Sequence, residues 1–301
     1  GAGGDVFLLK TDASGNLQWA KTFGGSGWDY AYSVQQTSDG GYIVAGFTYS
    51  FGAGGYDVFL LKTDASGNLQ WAKTFGGSDG DAARSVQQTS DGGYIVAGWT
   101  WSFGAGSNDV FLLKTDASGN LQWAKTFGGS SGDVASSVQQ TSDGGYIVAG
   151  YTGAGGIDIF LLKTDASGNL QWAKTFGGSY YDEASSVQQT SDGGYIVAGW
   201  TSSFGAGGSD VFLLKTDASG NLQWAKTFGG SSNDHAYSVQ HTSDGGYIVA
   251  GYTRSFGAGD YDVFLLKTDA NGNIGTCAIV ASVTPTVNTP SPSVASPIPT
   301  V

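Results

Sequence analysis

The chain has 301 residues, of which 40% are hydrophobic and 13% aromatic, enough to bury a substantial core. Its formal net charge of −12 argues against nucleic acid or an anionic membrane surface as a partner, because little positive charge would offset phosphate repulsion. One cysteine, Cys277, excludes an intramolecular disulfide framework, and no run of residues is long and apolar enough for membrane insertion.

The first element in chain order is a predicted strand pair over residues 5–23, and its sequence recurs along the chain. The opening "DVFLLKTD" at Asp5 returns five times, once as "DIFLLKTD", with its lysine at positions 10, 62, 114, 163, 215 and 267. Spacings near 52 residues suit a four-stranded propeller blade. We therefore expect residues 1–280 to form one β-propeller.

The segment that follows the first strand pair predicts the inner half of a blade. "SVQQTSDGGYIVAG" from Ser33 contains two strands joined by an Asp-Gly-Gly turn, which supplies the positive φ angles of a tight hairpin. Equivalent units start near residues 33, 85, 137, 186 and 238. These five complete inner-strand pairs favour five blades, with six as the alternative.

The next two segments predict the outer half of the blade. "DVFLLKTD" is apolar on both faces, as expected of a third strand between neighbouring blades. After the turn "DASGN", "LQWAKTF" alternates as an outermost strand does, with a lysine that discourages edge-to-edge pairing. No segment shows helical periodicity, so we predict an all-β fold.

The stretch "FGGSGWDYAYSVQQTSDGGYIVAGFT" resembles the β-propeller repeat of bacterial and archaeal surface and secreted proteins. The resemblance rests on the Gly-Gly-Ser, Asp-x-Ala, Asp-Gly-Gly and Ala-Gly-aromatic-Thr positions and covers residues 5 to about 275, in near-identical copies. It implies an extracellular or cell-surface protein whose secretion signal is absent from this processed chain. It implies little about activity, because propellers carry enzymes, lectins and scaffolds alike.

The chain carries one outer half-unit more than it has inner halves. The fifth blade can be completed by its own third strand, 262–269, or by the N-terminal hairpin 5–23. The leftover hairpin then pairs with the next molecule, or packs on its own molecule as part of an incomplete sixth blade. The candidate assembly residues are Asp5, Phe7, Leu9, Trp19 and Phe23 in the hairpin, and Val283 and Val287 in the tail.

The loops at one end of the blades vary between copies, whereas the turns at the other end barely change. Variable loops on a rigid scaffold favour recognition. Aromatic residues in these loops are candidates for stacking on sugar rings: Trp28, Tyr30, Tyr49, Trp99, Trp101, Tyr180, Tyr181 and Trp200. Alternatively, those that follow "VAG", such as Trp99 and Trp200, fill the space between blades.

An aspartate also recurs two residues before an alanine in each variable loop that leads into an inner strand. These residues are Asp29, Asp81, Asp133, Asp182 and Asp234. They can form an acidic ring that binds a hard cation such as Ca²⁺, or each carboxylate can cap its own turn by accepting backbone N–H bonds. We expect no other cofactor.

An active site would have to be built from the residues that depart from the repeat. These are Arg84, Glu183, His235, His241, Arg254 and Asp260. They show no Ser-His-Asp arrangement, metal-ligand spacing or phosphate-binding loop, so we expect no catalysis.

The tail, residues 281–301, is rich in Pro, Thr and Ser and predicts an extended spacer. Its "VASVTPTV" portion can alternatively act as a strand, on the same molecule or on a neighbour.

These observations lead us to expect a non-enzymatic extracellular structural protein, a surface or filament subunit that self-associates through the surplus hairpin or the tail. The alternative is a lectin-like propeller that binds surface glycans at the variable loops.

Overall fold

The computed structural model describes residues 3–275 of the chain and three short tail segments, 280–282, 286–288 and 293–295. Cys277 and Val283 therefore lie outside the described residues. Within these ranges the regular structure is β throughout. A search of the same residues finds no helix of the length and apolarity that a membrane span requires.

Short turns connect the strands of the described residues. The strands are β1 (Val6–Thr11), β2 (Leu17–Phe23), β3 (Asp29–Gln36), β4 (Tyr42–Thr48), β5 (Asp57–Thr63), β6 (Leu69–Phe75), β7 (Asp81–Gln88), β8 (Tyr94–Thr100), β9 (Asp109–Thr115), β10 (Leu121–Gly128), β11 (Asp133–Gln140), β12 (Tyr146–Thr152), β13 (Asp158–Thr164), β14 (Leu170–Gly177), β15 (Asp182–Gln189), β16 (Tyr195–Thr201), β17 (Asp210–Thr216), β18 (Leu222–Phe228), β19 (Asp234–His241), β20 (Tyr247–Thr253), β21 (Asp262–Thr268), β22 (Val280–Ser282), β23 (Thr286–Asn288) and β24 (Ser293–Ala295).

The chain divides into two compact units, one of residues 1–140 with 293–301 and the other of residues 141–292. In unit one, β1 and β2 form a two-stranded sheet, β3 to β6 form a four-stranded sheet, and a further sheet has the order β24-β10-β9-β8-β7. In unit two, β12, β13, β14 and β23 lie side by side, another sheet has the order β15-β16-β17-β18-β22, and β19, β20 and β21 form a three-stranded sheet.

The chain is all-β, with about five four-stranded antiparallel sheets in repeating units of about 52 residues, consistent with a β-propeller. The predicted fold class is thereby confirmed. We number the repeats 1 (29–75), 2 (81–128), 3 (133–177), 4 (182–228) and 5 (234–268). Each inner strand begins at its loop aspartate, such as Asp29, and not at the serine, such as Ser33. A bulge between Ala31 and Ser33 interrupts the two-residue alternation, so the sequence pattern did not reveal the first residues of the strand.

Consecutive repeats within a unit pack face to face. The back face of repeat 1 consists of Ile43, Ala45, Val58, Leu60 and Phe75. It packs against the front face of repeat 2, which consists of Ala83, Val86, Tyr94, Val96, Phe111, Leu113 and Ala124. In unit two, the equivalent back face of repeat 4 packs against the front face of repeat 5. Because each fully buried Val, Leu or Phe contributes about 1.5–3 kcal/mol, these faces supply most of the cohesion between repeats.

The tail forms short strands where the sequence predicts a spacer. Strands β22, β23 and β24 pair antiparallel with the outer strands β18, β14 and β10. In each pairing a valine has a repeat phenylalanine as its Cα partner: Val280 with Phe228, Val287 with Phe176 and Val294 with Phe127. Three outer strands that the sequence presents as free edges are therefore covered.

Candidate functional sites

A lysine in the third strand of each repeat, buried in repeats 1 to 4, forms an ion pair that sequence reasoning missed. Lys114 is 3% exposed, and its ammonium lies 2.9 Å from Asp91 Oδ2 in the Asp-Gly-Gly turn. It also donates to the Thr115 carbonyl and to Gln122 Oε1. The other pairs are Lys62–Asp39, Lys163–Asp143, Lys215–Asp192 and Lys267–Asp244. The pair recurs in every repeat at the invariant end, so we interpret it as structural.

The recurring loop aspartates are buried, and their carboxylates are used within their own loops. Asp29 accepts hydrogen bonds from the Gly25 N–H at 2.9 Å, from Ser50 Oγ at 2.7 Å and from Thr48 Oγ1. Corresponding backbone bonds reach Asp81, Asp133, Asp182 and Asp234. The described residues contain no group of three or more His, Cys, Asp or Glu side chains that could hold a metal ion. The cation ring stays a prediction, and these contacts lend it no support.

A second aspartate approaches each of these carboxylates at the start of a third strand. A Cβ atom added to Gly76 would lie 1.7 Å from Asp57 Oδ1 and 2.7 Å from Asp81 Oδ2, so both carboxylates converge on this glycine. Burial, reinforced by the charge of Asp81, raises the pKa of Asp57 to about 6. Burial likewise raises the pKa of Asp109 and of Asp210 to about 6.

Five of the predicted sugar-stacking residues lie in one continuous group of rings in unit one. We call this group the aromatic surface; it consists of Trp28, Tyr30, Tyr32, Phe47, Tyr49, Tyr56, Trp99 and Trp101. Neighbouring ring centroids are 4.9–6.0 Å apart. Trp28 and Trp101 are each 56% exposed, whereas Trp99 is half-buried and contacts both Tyr56 and Trp101.

Sequence reasoning missed Tyr56, which links the rings of repeat 1 to Trp99 of repeat 2. The available signal was its position directly before the repeat aspartate, where the copies differ: Tyr56, Asn108, Ile157, Ser209 and Tyr261.

The other three predicted residues, Tyr180, Tyr181 and Trp200, belong to repeat 4 or to the loop before it, in unit two. Tyr180 and Tyr181 are exposed, whereas Trp200 is half-buried and stacks on the imidazole of His235. Tyr180, Trp200 and His235 line one cavity of about 540 Å³. One of the two histidines singled out by sequence thus lies beside two of the candidate aromatic residues.

Among the described residues, the front of repeat 1 and the back of repeat 5 each expose apolar side chains. On the front of repeat 1, Val34 is 55% exposed, whereas its equivalent in repeat 2, Val86, is 6% exposed. On the back of repeat 5, Val263 and Leu265 are 89% and 68% exposed, although the equivalent residues of repeats 1 to 4 are fully buried. Contiguous apolar exposure of this kind usually marks a contact surface.

The N-terminal hairpin, β1 and β2, occupies part of the front of repeat 1. Val6 and Leu8 are buried against Val44, Phe59 and Leu61, in the way that third-strand residues pack on the next repeat elsewhere. Of the candidate assembly residues here, Phe7 and Leu9 are exposed, while Trp19 and Phe23 are partly buried at this contact. Asp5 converges with Asp29 on Gly24, as the other aspartate pairs do on their glycines.

The two remaining assembly candidates lie in the tail. Val287 belongs to β23, with Phe176 as its Cα partner, and Val283 lies outside the described residues. Repeat 5 draws its third strand, β21, from its own chain.

Comparison with known proteins supports the architecture and leaves the activity open. Residues 89–121 match a β-propeller domain of unknown function, DUF5122. The regulatory protein FlaEY of Caulobacter vibrioides is 32% identical over 107 residues, which are 31% of this chain and 11% of that protein. The chain thus spans about a tenth of this curated relative.

Among solved structures, a protein of unknown function from Dyadobacter fermentans is similar, with a TM-score of 0.53 at 14% identity over 84% of this chain and 82% of that one. At this identity the likeness concerns the fold alone. A structure described as a candidate glycoside hydrolase from Parabacteroides distasonis gives a TM-score of 0.37 at 11% identity, over 81% of this chain and 88% of that one. That value is too low to carry an argument. The chain is therefore similar to a β-propeller domain in residues 89–121, and its fold is similar to that of the Dyadobacter fermentans protein.

Proposed function

We propose that this protein is a non-enzymatic, extracellular structural subunit that self-associates head to tail through its first and last repeats. The observation that carries the proposal is the exposure of Val34 on β3 of repeat 1, at a position that is buried in repeats 2 to 5. The extracellular location rests on the resemblance of the repeats to those of bacterial and archaeal surface proteins.

The hairpin at the N terminus supplies half of the joint. It packs on repeat 1 as the third and outer strands of a preceding repeat would, through Val6 and Leu8. Among the described residues, the sheet formed by β1 and β2 has no inner strands beside β1. Inner strands there would cover Val34 on β3, which is exposed.

Repeat 5 supplies the other half. Its sheet has inner strands β19 and β20 and a third strand β21, and it lacks an outer strand in the described residues. The hairpin and β21 share the sequence "DVFLLKTD", so β1 can take the place of β21 beside β20. The exchange gives repeat 5 an outer strand, and it covers both β3 and the free edge of β1.

The resulting contact joins two different surfaces of the same protein. Such heterologous contacts continue from copy to copy and produce filaments unless the rotation closes them into a ring. The joint buries apolar side chains that are otherwise in water, so we expect it to be long-lived. A long-lived contact suits a surface or filament subunit.

Cross-linking tests the exchange directly. Ala45 on β4 pairs with Leu60 on β5, so the equivalent pair across the joint is Ala250 with Leu8. We would introduce Ala250→Cys and Leu8→Cys together with Cys277→Ser, and oxidise the protein under native conditions. Directly paired strand residues are close enough for a disulfide.

We expect a ladder of dimers and higher species on a non-reducing gel. A disulfide confined to single chains would mean closure within one molecule and would overturn the proposal, as would the absence of any disulfide.

The exposed part of the front of repeat 1 offers a second test with a matched control. Val34→Glu places a charge on β3, whereas Leu69→Glu does so at a similarly exposed site on the outer strand β6. We expect Val34→Glu to weaken self-association, measured by analytical ultracentrifugation, by roughly tenfold or more, equivalent to about 1.4 kcal/mol. Equal effects of the two substitutions would contradict the proposed interface.

The aromatic surface favours glycan binding as a second candidate function. Its exposed rings, such as Trp28, Tyr49 and Trp101, provide apolar platforms on which sugar rings can stack. We expect retention on immobilised bacterial polysaccharide to fall with Trp28→Ala and Trp101→Ala, and to be unaffected by Leu69→Ala. Unchanged retention of the tryptophan variants would rule out this surface as the site.

A further inference from the structure

Unit two contains a cavity with features that differ from those of the aromatic surface. It has a volume of about 540 Å³, within the usual range for small-molecule sites. Its lining includes Tyr180 from the loop before repeat 4, Trp200 on β16, Ser209 before β17, Asn233 before β19 and His235 on β19.

Two polar contacts fix the floor of this cavity. Ser209 Oγ lies 2.6 Å from His235 Nε2, and the Ser209 N–H donates to Asn233 Oδ1 at 3.1 Å. Ser209 is 6% exposed, so these contacts are sheltered from bulk water. Because Asn233 accepts through its oxygen, its side-chain NH₂ group is available to donate to a ligand.

Aromatic rings hold the imidazole in place. The His235 ring stacks on Trp200, with centroids 4.6 Å apart and planes 5° apart, and its centroid lies 4.8 Å from that of Tyr252. A histidine held between two rings cannot easily swing out of the cavity. Tyr180, which is 64% exposed, stands at the rim.

The lining carries no Asp, Glu, Lys or Arg side chain among the residues that the structure describes. Burial lowers the pKa of His235 to about 4, so the imidazole is uncharged at neutral pH. A charged ligand would therefore lose its hydration and find no partner of opposite charge. The site instead combines apolar ring surfaces with hydroxyl, amide and imidazole groups.

We infer that this cavity is a binding site for a neutral saccharide, one or two uncharged sugar units of a glycan. Sugar rings present C–H faces that pack on Trp200 and Tyr180, and hydroxyl groups that bond to Asn233, Ser209 and His235. The inference is independent of the proposed self-association and of the aromatic surface in unit one, since it uses other residues.

The chain's own copies explain why the cavity exists and provide a control. The residue equivalent to Ser209 between repeats 1 and 2 is Tyr56, and the residue equivalent to His235 is Ala82. There the Tyr56 ring packs on Phe47 and Trp99 and lies close to Gly80. The double substitution Ser209→Tyr with His235→Ala copies this pair, with Asn233 in the position of Gly80, and places the tyrosine ring in the cavity.

The test is saturation-transfer NMR of the full chain with three neutral probes, the methyl glycosides of glucose, galactose and mannose, and with glucuronate as a charged comparator. We expect at least one neutral glycoside to bind with millimolar affinity and glucuronate to bind at least tenfold more weakly. The double variant should lose the signal, and Asn233→Ala should reduce it severalfold. A variant with Leu69→Ala in unit one should bind as the parent does.

Three outcomes would overturn the inference. They are no transfer to any neutral glycoside, equal transfer in the double variant, and preferred binding of glucuronate. The far-ultraviolet circular dichroism of the double variant shows whether its fold is intact. If the double variant is unfolded, the decision rests on Trp200→Ala and Asn233→Ala, and binding unchanged in both would likewise overturn the inference.

Discussion

At the scale of single residues, the lysine and aspartate that recur in each repeat are better explained by the stability of an ion pair than by a catalytic role. The lysine of the third strand is buried in repeats 1 to 4, while its aspartate partner, such as Asp91, is 55% exposed at its side chain. Removal of the aspartate therefore leaves a buried ammonium group, whereas removal of the lysine leaves a carboxylate that is half exposed to water. A buried ammonium without its partner is the costlier remnant.

The asymmetry predicts an order of stability for two variants in repeat 2. We expect Asp91→Asn to cost roughly 2–4 kcal/mol, because it leaves the Lys114 charge buried and unpaired. Lys114→Met should cost roughly 1–2 kcal/mol, because the freed carboxylate can reach water. Urea unfolding followed by tryptophan fluorescence measures both, with the exposed Asp79→Asn as the control. The reverse order would show that the lysine acts mainly through its bonds to Thr115 and Gln122.

Two classes of aspartate predict a stability maximum in mild acid. Burial raises the pKa of Asp57, Asp109 and Asp210 from 3.8 to about 6, so their contribution is full below pH 3.8 and is lost as the pH rises through 6. Hydrogen bonds and the lysine partner lower the pKa of aspartates such as Asp91 to about 2, so their contribution is full above pH 3.8 and is lost as the pH falls through 2.

We therefore expect the melting temperature to rise between pH 7.5 and pH 5 and to fall again below pH 3.5. Asp57→Asn should raise the melting temperature at pH 7.5 and flatten the dependence between pH 5 and 7.5, since the amide cannot ionise. Differential scanning calorimetry across this range tests both statements. A melting temperature that is constant from pH 5 to 7.5 in the parent protein would contradict them.

At the scale of elements, the strands and turns of the repeat could be predicted from the turn residues. The contacts between distant parts of the chain could not. The turns "SDGG" and "DASGN" and the strands around them follow from local residue preferences. The sequence did not reveal that the glycine of "DASGN" packs on a tryptophan of the preceding repeat, as Gly119 does on Trp71. It also did not reveal the pairing of the tail strands, because Pro, Ser and Thr are typical of unpaired linkers.

Alanine substitutions at two glycines of repeat 2 distinguish the cost of backbone strain from the cost of a side-chain clash. Gly92 and Gly119 have φ angles of +83° and +77°, so alanine at either position costs about 1–2 kcal/mol. A Cβ atom at Gly119 would lie 2.8 Å from the Trp71 ring, whereas one at Gly92 would meet nothing within 4 Å. We expect Gly119→Ala to be the more destabilising in thermal unfolding and to change the tryptophan emission. Equal effects would mean that Trp71 moves aside at no cost.

At the scale of the whole molecule, the repeat period predicted the architecture. It did not predict which strand completes repeat 5 or where the N-terminal hairpin packs. The surplus half-unit was evident from six copies of "LLKTD", but two near-identical strands competed for one place in repeat 5. In the single chain β20 pairs with β21, and Val6 and Leu8 dock on repeat 1; exchange of the hairpin between chains stays a prediction. The candidate cavity in unit two was not predictable either, because its lining residues come from separate strands and loops of two repeats.

A head-to-tail joint between chains predicts that two variants, each monomeric alone, form dimers when mixed. A symmetric contact, or one that closes within a single chain, does not predict this result. Val34→Glu blocks the front of repeat 1 and leaves repeat 5 intact, while Ala250→Glu blocks the back of repeat 5 and leaves repeat 1 intact. Each variant alone should be monomeric, because every joint requires both surfaces. An equimolar mixture should form dimers and nothing larger, since one sound front and one sound back remain to be joined. Sedimentation velocity distinguishes the cases: a mixture that stays monomeric would exclude the joint, and dimers of either variant alone would indicate an isologous contact.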